Sequence, residues 1–245
     1  PSGPAELRLA IGFCMARLGF ADAARQAFNR VLELSPGGNN EALCALAVLN
    51  VNEGVRDPLL FQQGMKQLKQ AYETDRTHPI ALLHLGNHFF FRKDLTKAET
   101  LLRAALAKAN GPKIRAECLF MLGKVAHQQP GRMDEAHKCY AEAVTLNPDL
   151  LMAQFGLGQC LVARGDHSGA IGCFERILQV RPDCLEAARL LGLLLVTKAK
   201  TDPKARVKAR ALLISASSKE ESVEVHLALA SISATPSEAL ESIRK

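Results

Sequence analysis

Tryptophan is absent from the 245 residues, and tyrosine occurs only twice. Long apolar runs are also missing. No stretch of 18 or more residues is apolar and free of charge, so a membrane-spanning helix is excluded. The seven cysteines, Cys14, Cys44, Cys118, Cys139, Cys160, Cys173 and Cys184, form no CxxC pair. All but Cys184 lie in apolar helical windows and read as small core residues of a reducing compartment. Phosphate-binding glycine loops, a GxSxG elbow and a paired-carboxylate pattern are absent as well, and enzymatic activity is not expected. The chain begins Pro1-Ser2-Gly3-Pro4 without Met. That start shows no signal or transit peptide and reads as a piece of a longer protein.

What remains is ordinary for a globular chain. Hydrophobic residues make up 48%, and the net charge is +6. That charge is mild for this length and does not demand a nucleic-acid partner. Ala and Leu are abundant, strand formers are thin, and 17 Gly and 11 Pro recur as punctuation. The expectation is all-α.

A repeat organises the chain. An apolar residue followed by a small one recurs at Ile11-Gly12, Leu46-Ala47, Leu85-Gly86, Leu122-Gly123, Leu157-Gly158, Leu191-Gly192 and Leu229-Ala230. The small residues are 35, 39, 37, 35, 34 and 38 residues apart. Twelve and sixteen residues after Gly12 come Ala24 and Phe28; the same offsets from Gly158 give Ala170 and Phe174. Ala98 and Leu102 follow Gly86, and Ala136 and Tyr140 follow Gly123 one residue late. A small residue on the first helix of a hairpin lets the second approach, and the bulky residue fills the space beside that contact. Leu18-Gly19, Lys93-Asp94, Gly131-Arg132 and Arg164-Gly165-Asp166 read as turns. Asp22, Asp94, Asp134 and Asp166 read as caps or first-turn acids of the second helices.

These residues resemble the tetratricopeptide repeat. The resemblance implies an all-α, right-handed superhelical solenoid of helix-turn-helix repeats. Six repeats and a partial seventh would form a single array over residues 5–245. Its working surface would be a groove lined by the first helices. Carried over to this chain, the groove residues are Phe13, Val48, His84, Asn87, Phe90, Phe91, Phe120, Met121, Lys124, Phe155, Gln159, Leu190 and Leu193. Most are apolar, which suits an extended or helical segment of another protein. Each equally suits packing against the next repeat.

Other chemistry is weak here. His84 and His88 are one helical turn apart, a zinc-compatible spacing, but a third ligand is lacking. No metal and no cofactor are expected. Lys204, Arg206, Lys208 and Arg210 belong to a basic run that reads as a solvated helix face, with contact to an acidic partner or nucleic acid as the alternative.

A narrower likeness lies in Gly86-Asn87-His88-Phe89-Phe90-Phe91-Arg92-Lys93-Asp94, in Phe155-Gly156-Leu157-Gly158-Gln159 and in Ala24-Arg25-Gln26-Ala27-Phe28. These strings resemble the large tetratricopeptide scaffold subunits of RNA polymerase II-associated factor (Paf) complexes. The resemblance implies a nuclear, non-enzymatic scaffold for transcription elongation and linked histone modification. It would bind sister subunits as extended or helical segments, and polymerase indirectly or through its outer surface. A homo-oligomer is not expected, and nucleic-acid contact stays open. Another tetratricopeptide adaptor, such as a chaperone cofactor or ligase subunit, or the repeat arm of a larger enzyme, are the alternatives.

Overall fold

The computed structural model describes residues 4–54, 57–199, 201–217 and 222–233. The end of the expected array, residues 234–245, lies outside them. The described residues form thirteen α-helices, and the all-α expectation holds. None of these helices is long and apolar enough to cross a membrane. The chain divides into two compact units, one ending at Val125 and the other starting at Ala126.

The first unit contains α1 (Ala5–Arg17), α2 (Ala21–Leu34), α3 (Asn40–Glu53), α4 (Pro58–Thr74), α5 (Pro79–Phe91), α6 (Leu95–Lys108) and most of α7 (Pro112–His127). α1 packs on α2, α3 on α4 and α5 on α6, giving three hairpins. The second unit contains α8 (Met133–Leu146), α9 (Leu151–Ala163), α10 (His167–Val180), α11 (Leu185–Lys198), α12 (Pro203–Ser217) and α13 (Val223–Ser231). There α9 pairs with α10 and α11 with α12.

The small-to-bulky offsets describe real contacts. A Cβ placed on Gly12 would come within 2.5 Å of the Phe28 ring, on Gly86 within 2.7 Å of Leu102, and on Gly158 within 2.8 Å of Phe174. Phe28, Leu102 and Phe174 are all essentially sealed from solvent. The third hairpin contact is thus the same chemistry with Leu in place of an aromatic. α3–α4 uses the device in reverse. Ala47 keeps its place, and Gly64 on α4 comes so close that a Cβ there would lie 2.8 Å from the Ala47 carbonyl oxygen.

Local signals explain the turns and starts. Gly19, Gly131 and Gly165 take left-handed backbone with φ near 80°, and Lys93 occupies the equivalent place at φ 63°. That conformation turns the chain between successive helices and suits glycine best. Asp94 accepts from the Lys97 amide at 3.1 Å, and Asp166 from Gly169 at 2.9 Å. Asp22 and Asp134 lie in first turns instead. Pro58 and Pro79 open α4 and α5, where their missing N–H costs nothing.

The cysteine expectation needs a correction. Cys44, Cys118 and Cys160 are buried, but Cys14 is exposed and Cys139, Cys173 and Cys184 are half-buried. Cys14 faces solvent because the buried position of α1 is Gly12, which meets α2.

Candidate functional site

Two cavities lie on the first helices of the first unit. One of about 300 Å³ is lined by Phe13, Val48, Leu49, Leu83, His84 and Glu117, among others, drawn from α1, α3, α5 and α7. The other, about 540 Å³, is bounded by Asn52, Phe61, His84, Asn87, His88 and Phe91. His84 borders both. Five of the expected groove residues, Phe13, Val48, His84, Asn87 and Phe91, therefore line these two adjoining cavities.

The polar groups on that face are poorly served. The Asn87 Oδ1 atom is buried and has no hydrogen-bond partner. Burial pushes the His84 imidazole down to about 4, so it is neutral at physiological pH. His88 is lowered too, by burial and then by the nearby Arg92 charge. Burial raises the Glu117 carboxyl above its ordinary value.

Beside the second cavity, the Lys124 ammonium stands over three rings. It is 4.5 Å from the Phe90 centroid, 4.9 Å from Phe91 and 5.5 Å from Phe120. Removal from water lowers its pKa. The ring faces replace part of the lost hydration.

Phe90 and Met121 need correction as groove residues. They are only 4% and 6% exposed. Phe90 is one turn beyond Gly86 and so shares the face that closes on α6. Met121 shares with Cys118, Leu122 and Val125 the buried stripe of α7. Phe91, one residue on from Phe90, is 68% exposed. Phe120 is half-buried.

In the second unit, Phe155 meets Phe174 edge-on at 5.7 Å. Phe155, Leu190 and Leu193 are partly buried and pack on that unit's core, while Gln159 is exposed. The basic run is partly engaged. Lys208 pairs with Glu175 at 2.6 Å, and the Arg206 Nε donates to the Ala199 carbonyl at 3.1 Å. Lys204 and Arg210 are exposed.

Phe61 and His88 were missing from the expected set. Phe61 is carried in by α4, which has 17 residues where α2 and α6 have 14. Gly54 allows it: a Cβ there would lie 2.7 Å from the Phe61 backbone nitrogen. Phe61 then sits 6.4 Å from the His88 ring. The sequence signal was the spacing of 39 residues from Ala47 to Gly86, the longest in the series.

No cluster of three or more potential metal ligands occurs among the described residues. The thiols of Cys44 and Cys118 are pushed up to about 12, and that of Cys160 to about 11, chiefly by burial. They are protonated and inert as nucleophiles near neutral pH.

Successive helical hairpins, closed by small residues where the paired helices meet, with an apolar face on the first helices, define a repeat protein that binds other proteins. Tetratricopeptide repeat profiles match residues 78–149 and 128–194, and the chain is a tetratricopeptide repeat protein. It is related to CTR9. It is 34% identical over 207 residues to the RNA polymerase-associated protein CTR9 of Caenorhabditis elegans, covering 84% of this chain and 18% of that protein. It is 36% identical over 196 residues to the CTR9 homolog of Arabidopsis thaliana, covering 78% of this chain and 18% of that protein. The chain thus spans about a fifth of the length of these relatives. A shorter likeness, 33% over 81 residues, is to the human protein O-mannosyl-transferase TMTC1, covering 33% of this chain and 9% of that protein. Among solved structures, PilF of Pseudomonas aeruginosa matches with a TM-score of 0.68 at 19% identity, covering 90% of this chain and 94% of PilF, a likeness of fold alone.

Proposed function

We propose that this chain is a protein-binding repeat array of a nuclear scaffold subunit in an RNA polymerase II-associated factor complex. It holds a segment of a sister subunit against the inner face of its first helices and takes no part in chemistry. The subunit as a whole supports transcription elongation and the histone modification coupled to it. The kinship with CTR9 supplies the biological setting, and the inner face supplies the mechanism.

The observation that carries the mechanism is the pair of adjoining cavities around His84. Their walls are largely apolar, and Phe91 offers a large exposed ring beside the partnerless Asn87 oxygen. An incoming chain would cover Phe13 and Phe91 and donate one backbone N–H to Asn87. Burying one Phe is worth roughly 1.5–3 kcal/mol. Two or three such anchors outweigh much of the cost of ordering the segment.

The test is recovery of partners from nuclear extract on the immobilised chain, with the Phe13→Asp/Phe91→Asp protein in parallel. The expected result is recovery of polymerase-associated factor subunits by the native chain and their loss from the variant. Recovery of chaperones instead would support the adaptor reading. Equal recovery of the factor subunits by both proteins would remove the inner face as their binding site.

A further inference from the structure

A further cleft opens between second helices, with a basic rim that the inner-face reading does not use. It has a volume of about 800 Å³ and runs between α4 and α6, the second helices of two successive hairpins, with α5 below. That volume is in the range of about 300–1,000 Å³ typical of ligand-binding clefts. Its floor is apolar: Met65, Tyr72, Leu85, Phe89 and Leu101.

The rim is basic. Lys66, Lys69 and Arg76 project from α4 and from the turn after it, and Lys97 from α6. Lys66, Lys69 and Glu73 follow one another at intervals of three and four residues, the spacing of a single helix face, and Arg76 lies in the turn just beyond the end of α4. Among the described residues, Glu73 is the only carboxylate lining the cleft, and it lies 3.8 Å from Lys69. Lys97 pairs with Asp94 at 3.0 Å and holds its ammonium 5.5 Å from the Phe89 ring. Lys66 and Arg76 have no acidic partner among the described residues. Four cations therefore face one carboxylate around a greasy floor. Ordinary solvated helix faces mix both signs and lack such a floor.

From this we infer that the α4–α6 cleft docks an acidic amphipathic segment of another protein. Its large apolar side chains settle on Met65, Leu85 and Leu101, and its carboxylates pair with Lys66 and Arg76. A nucleic acid fits less well. Single strands are held by successive rings on which bases stack, and here three of the five floor residues are not aromatic. The cleft shares Met65 and His88 with the second inner cavity, but its basic rim lines this cleft alone, and Phe13 and Phe91 do not line it.

The test uses a fluorescein-labelled peptide of Glu, with Leu and Phe at i, i+3, i+4 and i+7, titrated with the intact chain and read by anisotropy. Three further probes are a peptide of equal charge with Ser at the apolar positions, a peptide with Lys for Glu, and oligouridylate. The expected result is saturable binding of the acidic apolar peptide, weaker at high salt. Affinity should fall at least about tenfold in Lys66→Glu/Arg76→Glu, with an unchanged melting curve. The milder Lys66→Ala/Arg76→Ala should fall part of the way. Phe13→Asp/Phe91→Asp should bind this peptide as the native chain does, so that failure of the inner-face reading remains distinct. The inference is overturned by no binding of the peptide, by equal binding of the Ser peptide, or by affinity indifferent to Lys66 and Arg76. Tighter binding of oligouridylate that is lost in the same variant would overturn it in favour of a nucleic-acid surface.

Discussion

Arg25 and Asn50 are joined across two helices: the Arg25 Nε donates to the Asn50 Oδ1 at 3.1 Å. Asn50 has no exposed surface at all. Its amide nitrogen donates in turn to the Gln67 Oε1 at 2.8 Å. The Arg25 guanidinium also reaches Asp22 at 2.6 Å and, more closely, Glu53. One buried amide thus links α2, α3 and α4, and ties the first hairpin to the second.

Both ends of Asn50 are used, so its removal strands a donor and an acceptor at once. Asn50→Leu, of similar size, should destabilise the chain by about 2–3 kcal/mol, because a charged donor loses its buried partner. Urea denaturation with a shared m-value measures it. A loss below about 0.5 kcal/mol would mean that water reaches the site and replaces the amide.

The hairpin contacts make a paired prediction in the second unit. Gly158→Ala places a methyl 2.8 Å from Phe174 Cζ, inside a sealed contact. It should cost roughly 1–3 kcal/mol through overpacking. Gly172 lies in the middle of α10 with nothing within 4 Å of the added methyl. Gly172→Ala should therefore stabilise by up to about 1 kcal/mol, the helix-propensity difference. Thermal melts of the two variants should move in opposite directions. Movement in the same direction would contradict the packing assigned to Gly158.

Adjacent rings on α5 should behave as opposites. Phe91→Asp changes a side chain that is 68% exposed and should leave helicity and melting nearly unaltered. Phe90→Asp buries a carboxylate in the α5–α6 packing and should unfold the first unit. Circular dichroism separates them. Unfolding by Phe91→Asp would put that ring in the core and remove it from the inner face.

How far such detail can be read in advance depends on which contact sets it. The Gly12–Phe28 and Gly158–Phe174 contacts are intrahairpin, at a fixed sequence separation, so spacing alone exposes them. Phe90 and Phe91 are harder. α5 closes on its own hairpin and also on a neighbouring repeat, so it is apolar almost all round, and periodicity no longer says which face is free. Phe61 entered the inner face only through the extra length of α4. The Arg25–Asn50 bond needs two successive hairpins to be docked before the residues meet. Lys66 and Lys69 share one face of α4 by spacing alone, yet the floor of the α4–α6 cleft is completed by Leu85 and Phe89 of α5 and Leu101 of α6, which only packing brings there.

His84 gives the chain a pH dependence of known sign. Burial between the two inner cavities lowers its pKa from 6.5 to about 4. Between those values the unfolded chain binds a proton there that the folded chain does not. Stability from this residue is therefore complete above about pH 6.5 and is lost as pH falls toward 4. At 1.36 kcal/mol per pKa unit, the loss approaches about 3 kcal/mol. His84→Leu keeps an apolar side chain beside Leu49 and Leu83 and has no proton to gain. Between pH 7 and pH 4.5, urea denaturation should show the native chain losing about 2 kcal/mol more than the variant, since other groups titrate alike in both. A bound segment covering the inner face should hold His84 further from water and steepen the native chain's loss. Parallel losses in the two proteins would show that water reaches His84 in the free chain, and that the two cavities are not walled by it.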